Sequence, residues 1–195
     1  MGIAYFTCSI CGSTYSSQEV QYTCPSDGAN LDVHCDFETA ESKPSMESIL
    51  LSSEQSIWRF APLLPVPDPG YARTPLHQVG MTPVYQPETL REQLGLQHLW
   101  IKDESRNPSA SFKDRASAVV VAHALQTQQE VIIAASTGNA GAAMACMAAS
   151  VGMRAIILAP RTAPPAKVAQ LLVFGAQLIL VDGNYDQAFD LSIAA

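Results

Sequence analysis

Glu130-Val131-Ile132-Ile133-Ala134-Ala135-Ser136-Thr137-Gly138-Asn139-Ala140-Gly141 joins a short apolar run to a cluster of small and hydroxyl residues. The run predicts a buried strand over Glu130–Ala135, and the Ala- and Met-rich stretch after it predicts a helix over Asn139–Val151. The alternation continues downstream with a strand over Arg154–Ala159, a helix over Ala166–Phe174 closed by Gly175, a strand over Gln177–Asp182 and a helix from about Tyr185. Strands that recur about every 23 residues, with one helix between each pair, are the sequence form of successive βαβ units. An α/β fold with a parallel sheet is therefore predicted, and the recurrence comes from topology rather than from a copied solenoid unit. In such sheets ligands bind at the carboxyl ends of the strands, which directs attention to the loops after Ala135, Ala159 and Asp182.

Upstream of this core, Leu99–Ile101 reads as a short strand and Ser111–Gln126 as a helix, although Val119-Val120-Val121 lowers its local propensity. Between about Asp36 and Pro87 the texture changes, with Pro44, Pro62, Pro65, Pro67, Pro69, Pro75, Pro83 and Pro87 in one region. Proline fixes its own φ and biases the residue before it to extended geometry, so this region reads as a connector. The first stretch, Met1 to about Cys35, carries four of the five cysteines and reads as short strands and knuckles. Ser192-Ile193-Ala194-Ala195 falls in what reads as an unfinished helix, so the chain is expected to be a truncated portion of a longer one.

An apolar fraction of 48% is ample for a buried core, and a net charge of -7, from 11 Lys and Arg against 18 Asp and Glu, argues against nucleic acid as a partner. The longest apolar stretches fall well short of the ~20 residues that cross a bilayer, so no membrane partner is expected. The N-terminus lacks the pattern of a secretory signal, and a cytoplasmic location is expected. Reduced thiols or a metal site then suit the five cysteines better than a disulfide framework. Cys8-Ser9-Ile10-Cys11-Gly12 has the gap and trailing glycine of a zinc knuckle, and Cys24-Pro25 begins a second in which Asp27 stands where a fourth cysteine is expected. Cys8, Cys11, Cys24 and Asp27 are the candidate ligands of a structural zinc, with His34 and Cys35 as nearby substitutes. Cys35 also reads as a strand core residue, because Leu31, Val33 and Cys35 alternate onto one face, and Cys146 reads as helix core.

Asn107-Pro108-Ser109-Ala110-Ser111-Phe112-Lys113-Asp114-Arg115 is a turn feeding a helix, with Lys113 in the first helical turn. The helix dipole and any desolvation there disfavour the ammonium, and an uncharged amine is what imine chemistry requires. A solvated surface lysine is the plain alternative. At Ser136-Thr137-Gly138-Asn139-Ala140-Gly141, backbone N–H groups, two hydroxyls and a helix N-terminus favour a carboxylate or phosphate, with an ordinary N-cap as the alternative.

Together the two segments resemble the fold type II pyridoxal-phosphate enzymes, and within them most nearly those of the threonine synthase type. Ser111-Phe112-Lys113-Asp114-Arg115 after Asn107-Pro108 is similar to the cofactor-lysine motif, and Ser136-Thr137-Gly138-Asn139 to the substrate-carboxylate loop. Trp58-Arg59-Phe60, Leu63-Leu64-Pro65 and Thr74-Pro75-Leu76 are similar to the approach to the catalytic domain, and the resemblance runs from about Tyr5 to the last residue. It implies a tryptophan synthase β-like fold with a zinc-ribbon-like segment at 1–36, a proline-rich connector at 37–89 and an incomplete cofactor domain at 90–195. It also implies that Lys113 carries pyridoxal 5'-phosphate as a Schiff base and moves protons, and that Asn139 bonds the cofactor's phenolic oxygen. Ser136, Thr137, Asn139 and Ala140 would bind the amino-acid substrate, with Ser136, Thr137 and Ala140 holding its α-carboxylate through side-chain or backbone donors. Ala110 departs from the small polar residue or glycine common there and is expected to leave the lysine undisturbed, while Phe112 is expected to pack.

The implied reaction converts O-phospho-L-homoserine and water to L-threonine and phosphate. The family's glycine-rich phosphate cup and the hydroxyl residue near the pyridine nitrogen are expected farther along than Ala195, so this polypeptide alone is expected to bind the cofactor weakly and turn over little substrate. Threonine dehydratase and cysteine or cysteate synthase share similar motifs, and a non-catalytic binding module is a reading of a different class. A homodimer stays an open option for the full-length protein.

Overall fold

The computed structural model describes residues 3–20, 22–37 and 45–195, so Pro44 of the connector lies outside the described residues. The chain divides into two compact units, Met1–Glu54 with Trp58–Pro69, and Gln55–Ile57 with Gly70–Ala195.

In the first unit, β1 (Ile3–Cys8), β2 (Thr14–Tyr15) and β3 (Leu31–Cys35) form an antiparallel sheet in the order β2-β1-β3. Glycines at positive φ, Gly12 and Gly28, close two tight turns beside it. A sheet this small leaves much of β3 in solvent, so Val33 is 46% exposed and Cys35 only half-buried rather than the core residue expected from the alternation. The connector is more regular than its prolines suggest. Ser45 caps α1 (Met46–Leu51) in a reciprocal capping box with Ser48, and a 3-10 helix follows at Ile57–Leu63.

The second unit begins with a 3-10 helix at Pro75–Gln78 and a two-residue antiparallel pair, β4 (Val84–Tyr85) with β5 (Ile101–Lys102), around the short α2 (Glu88–Gln93). The strand expected at Leu99–Ile101 thus starts later. Its pairing follows β4, which lies between Pro83 and Pro87, and the Pro83 carbonyl accepts from Asp103 N–H just past β5.

Beyond a 3-10 turn at Glu104–Arg106 come α3 (Lys113–Gln126), β6 (Val131–Ala135), α4 (Asn139–Ala149), β7 (Arg154–Pro160), α5 (Pro165–Val173), β8 (Gln177–Val181) and α6 (Tyr185–Ala194). The three strands start 23 residues apart and form a parallel sheet in the order β6-β7-β8, so the predicted βαβ units are present. Parallel pairing of sequential neighbours demands a crossover helix between each pair, and the two crossover helices α4 and α5 touch each other. The register runs from Val131 opposite Arg154 to Ala135 opposite Leu158, and from Ile156 opposite Gln177 to Pro160 opposite Val181. Ile157, Leu158 and Ala159 of the central strand are buried, as are Ala143 and Met147 of α4 and Ala118 and Val121 of α3. The small side chains of α4 let α3 lie close against it. One rung of the ladder continues past β6, where Ser136 N–H donates to the Leu158 carbonyl at 3.0 Å, so the loop after the strand is held by the sheet itself.

Candidate active site and cysteine cluster

Lys113 is the first residue of α3, and the segment before it is fixed by buried polar groups. Asn107, 4% exposed, donates from Nδ2 to Glu104 Oε2 at 2.7 Å and accepts at Oδ1 from Gly80 N–H at 2.9 Å. Gly80 has φ +91°, and a Cβ there would sit 2.9 Å from Ile57 N, so this position demands glycine. Asp114 is fully buried and accepts from Ser109 N–H at 2.7 Å and from the Ser109 hydroxyl. Burial pushes its carboxyl up, against the pull of the two Ser109 bonds. Arg115 reaches Glu104 through two N–H groups, each at 2.9 Å.

With Asp114 buried and Arg115 half-buried, the helix turns Phe112 and Lys113 outward. Lys113 is exposed, with its Nζ 5.6 Å from the centroid of the Phe112 ring. The burial expected around the lysine is therefore not supplied by the described residues, and Phe112, at 58% exposure, does not pack as expected. Its neighbours fill the space inside the helix, which leaves the ring on the lysine's side.

Ala110 sits at φ +58°, a left-handed conformation that costs a residue with a Cβ about 1 kcal/mol. The expected harmlessness of this departure holds for the placement of Lys113 but not for the backbone. Ala110→Gly is expected to raise stability by about 0.5–1 kcal/mol, read as a higher urea midpoint, and an unchanged or lower midpoint would count against strain at this residue.

Ser136, Thr137 and Gly138 lie between β6 and α4. The buried Ser136 Oγ accepts from Gly138 N–H at 3.2 Å and Gly141 N–H at 2.8 Å, so the serine folds the loop back on its own helix. Gly141 allows that approach, because a Cβ there would stand 3.0 Å from Ser136 Cβ and 3.3 Å from Leu171 Cδ2. Among the described residues, no partner is found for the N–H groups of Thr137, Asn139 and Ala140 at the start of this eleven-residue helix. Unpaired donors at a helix N-terminus are a ready site for an anion. The helix that starts at Lys113 packs on the helix that starts at Asn139. Their proximity also shows at Cys146 of α4, whose thiol is pushed up to about 11, first by burial and then by the Asp114 charge.

Sequence reasoning missed Lys167 of α5, whose Nζ donates to Asn139 Oδ1 at 2.6 Å and to Gln170 Oε1 at 3.3 Å. A signal was available, since Lys167 is the only lysine after Lys113 and follows the second of the strand-end loops.

Residues 76–195 match the family described as pyridoxal-phosphate dependent enzyme. The chain belongs to that family. It is 38% identical to a threonine synthase of Methanocaldococcus jannaschii over 94% of this chain and 45% of the relative, and 39% identical to one of Methanosarcina acetivorans over 96% of this chain and 45% of the relative. The chain thus spans about half the length of these curated relatives. Among solved structures, diaminopropionate ammonia lyase from Escherichia coli, in complex with an aminoacrylate-PLP azomethine intermediate, superposes with a TM-score of 0.56 at 26% identity, over 64% of this chain and 37% of that one. The α/β fold with its parallel sheet is that of the fold type II pyridoxal-phosphate enzymes.

The residues present fit such a cofactor and its substrates. An exposed primary amine at Lys113 is open to an aldehyde, and the donors at the start of α4 are open to an anion.

In the first unit, the structure brings the four expected metal ligands together, with the ligand atoms of Cys8, Cys11, Cys24 and Asp27 all within 4.8 Å of one another. Neither proposed substitute joins them. His34 stacks on Tyr5 with ring centroids 4.4 Å apart, and Cys35 pairs with Ile3 at the far end of β3.

Proposed function

We propose that the chain is the N-terminal portion of a threonine synthase, which converts O-phospho-L-homoserine and water to L-threonine and phosphate. The observation that carries this reading is an outward-facing Lys113 at the start of α3, on a helix that packs against α4, whose own first N–H groups are unpaired among the described residues. The two archaeal relatives named threonine synthase, matched along almost the whole chain, support the choice of reaction.

Pyridoxal phosphate, when bound, supplies an electron sink. Lys113 Nζ holds it covalently and moves protons. Ser136 Oγ already accepts two N–H groups, so its own hydrogen is free to donate to a substrate α-carboxylate, alongside Thr137 and the N–H of Ala140. Lys167 occupies Asn139 Oδ1, which leaves Asn139 Nδ2 as the donor for the cofactor's phenolic oxygen. In this reading residues 90–195 belong to the cofactor domain, 37–89 form its approach, and 1–36 form a zinc ribbon whose structural ion is held by the thiolates of Cys8, Cys11 and Cys24. Among the described residues no helix is long and apolar enough to cross a membrane. A cytoplasmic location suits five free cysteines. The partner is a small amino acid rather than nucleic acid or membrane, and a homodimer is the assembly proposed for the full-length protein.

The test is an assay of the full-length protein on two substrates. Phosphate release from O-phospho-L-homoserine is expected. Ammonia release from threonine, without phosphate release, would assign the site to a dehydratase instead.

A further inference from the structure

Cys8–Gly12 and Cys24–Gly28 are one turn built twice. Each starts on a buried cysteine, Cys8 at 3% and Cys24 at 2% exposure, and each ends on a glycine at φ +72°. In both, the glycine N–H donates to the carbonyl of the starting cysteine, at 3.1 Å for Gly12 and 2.9 Å for Gly28. The fourth position of the turn is Cys11 in the first copy and Asp27 in the second. The second knuckle, incomplete as a string of cysteines, is complete as geometry.

Cys11 Sγ and Cys24 Sγ lie 3.7 Å apart, and Cys8 Sγ lies 3.4 Å from Asp27 Oδ2 and 3.5 Å from Oδ1. A tetrahedral zinc with Zn–S of about 2.3 Å and Zn–O of about 2.0–2.2 Å sets its ligands about 3.8 Å apart for two sulfurs and about 3.5–3.7 Å for a sulfur and an oxygen. The observed separations are close to those edges. Asp27 Oδ1 already accepts from Ala29 N–H at 2.9 Å, which fixes the carboxylate and leaves Oδ2 directed to the cluster. Donors also surround the sulfurs. Ile10 and Cys11 N–H each reach Cys8 Sγ at 3.4 Å, and the Tyr15 hydroxyl lies 3.2 Å from Cys24 Sγ. Groups of this kind orient and stabilise metal-bound thiolates.

We infer that Asp27 is a direct ligand, so that the ribbon holds a zinc-class divalent cation with three thiolates and one carboxylate. This rests on the structural zinc proposed above and deepens it by assigning the fourth corner. Thiolate prefers zinc and cobalt more strongly than carboxylate does, so this corner is the weakest of the four and can be upgraded by a single substitution.

The 195-residue chain, purified and loaded with Co²⁺, reports the donor set through its thiolate-to-cobalt absorption and its affinity in competition with a chromophoric chelator. The wild-type chain is expected to take up one equivalent, Asp27→Cys to raise the charge-transfer intensity by about one third as three thiolates become four, and Asp27→Ala to lower affinity at least about 10–100-fold. The affinity measurement stands if the Asp27→Cys chain does not fold. Stoichiometric cobalt in the wild type with unchanged affinity in Asp27→Ala would overturn the role of Asp27 while leaving a metal site in place. Metal uptake no greater than that of a Cys8→Ser, Cys11→Ser double variant would overturn the zinc reading itself, and with it this inference.

Discussion

Lys113→Ala in the full-length protein is expected to lower turnover of O-phospho-L-homoserine by at least about 10,000-fold, because general acid–base transfer alone contributes about 100- to 10,000-fold and the covalent hold on the cofactor is lost with it. The same substitution is expected to leave stability almost unchanged. Lys113 is exposed, alanine is the better helix former, and the contact with the Phe112 ring is a surface cation–π pair of about 0.5–1 kcal/mol. A large kinetic effect with a urea midpoint near that of the wild type separates a chemical role from a structural one. Borohydride treatment of the cofactor-loaded wild type followed by peptide mapping is expected to place the reduced adduct on Lys113. An adduct on Lys167, the lysine that bonds Asn139, or activity retained in Lys113→Ala, would end the assignment.

The strands were legible because hydrophobic runs and their spacing are local properties of the chain. Val131, Arg154 and Gln177 begin strands close to where the sequence places them, and the loop at Ser136 follows the first of these directly. The lysine and the loop were equally legible, since each is a contiguous motif. What the sequence hid depends on partners far apart along the chain. Arg115 meets Glu104 eleven residues away and Thr82 thirty-three away, and Asn107 holds Gly80 across twenty-seven, with no periodicity to announce any of these pairs. Asn139 meets Lys167 twenty-eight residues on because two successive strand ends lie side by side in the sheet. The left-handed backbone at Ala110 was invisible for another reason. A turn that needs φ > 0 advertises itself by glycine, and here alanine stands in its place. In the ribbon, counting cysteines made the second knuckle look broken, whereas the glycine after Asp27 preserves the turn.

Glu104→Ala is expected to cost about 2–3 kcal/mol of stability, since bonds to a charged group are worth roughly 1.5–3 kcal/mol and several end on this one carboxylate. Glu104 accepts two N–H groups from Arg115 at 2.9 Å, Asn107 Nδ2 at 2.7 Å and the Thr82 hydroxyl at 3.1 Å. The Arg115 guanidinium, with help from Asn107 and Thr82 and against some desolvation, pulls the carboxyl from its ordinary 4.5 down to about 2. A carboxyl lowered in the folded state adds stability that is fully present above about pH 4.5 and is lost as pH falls through about 2. Because the group is partly open to solvent screening, this proton-linked share is about 1–2 kcal/mol. Urea unfolding between pH 5 and pH 2 is therefore expected to show a loss in the wild type that Glu104→Gln lacks, and equal slopes in the two proteins would refute the linkage. The consequence reaches the lysine through Asn107, which holds Gly80 at its side-chain oxygen and accepts Ala110 N–H at its carbonyl at 2.8 Å. Freed of Glu104, the loop that presents Lys113 loses a brace on the side away from solvent, so weaker cofactor retention is expected to accompany the lost stability.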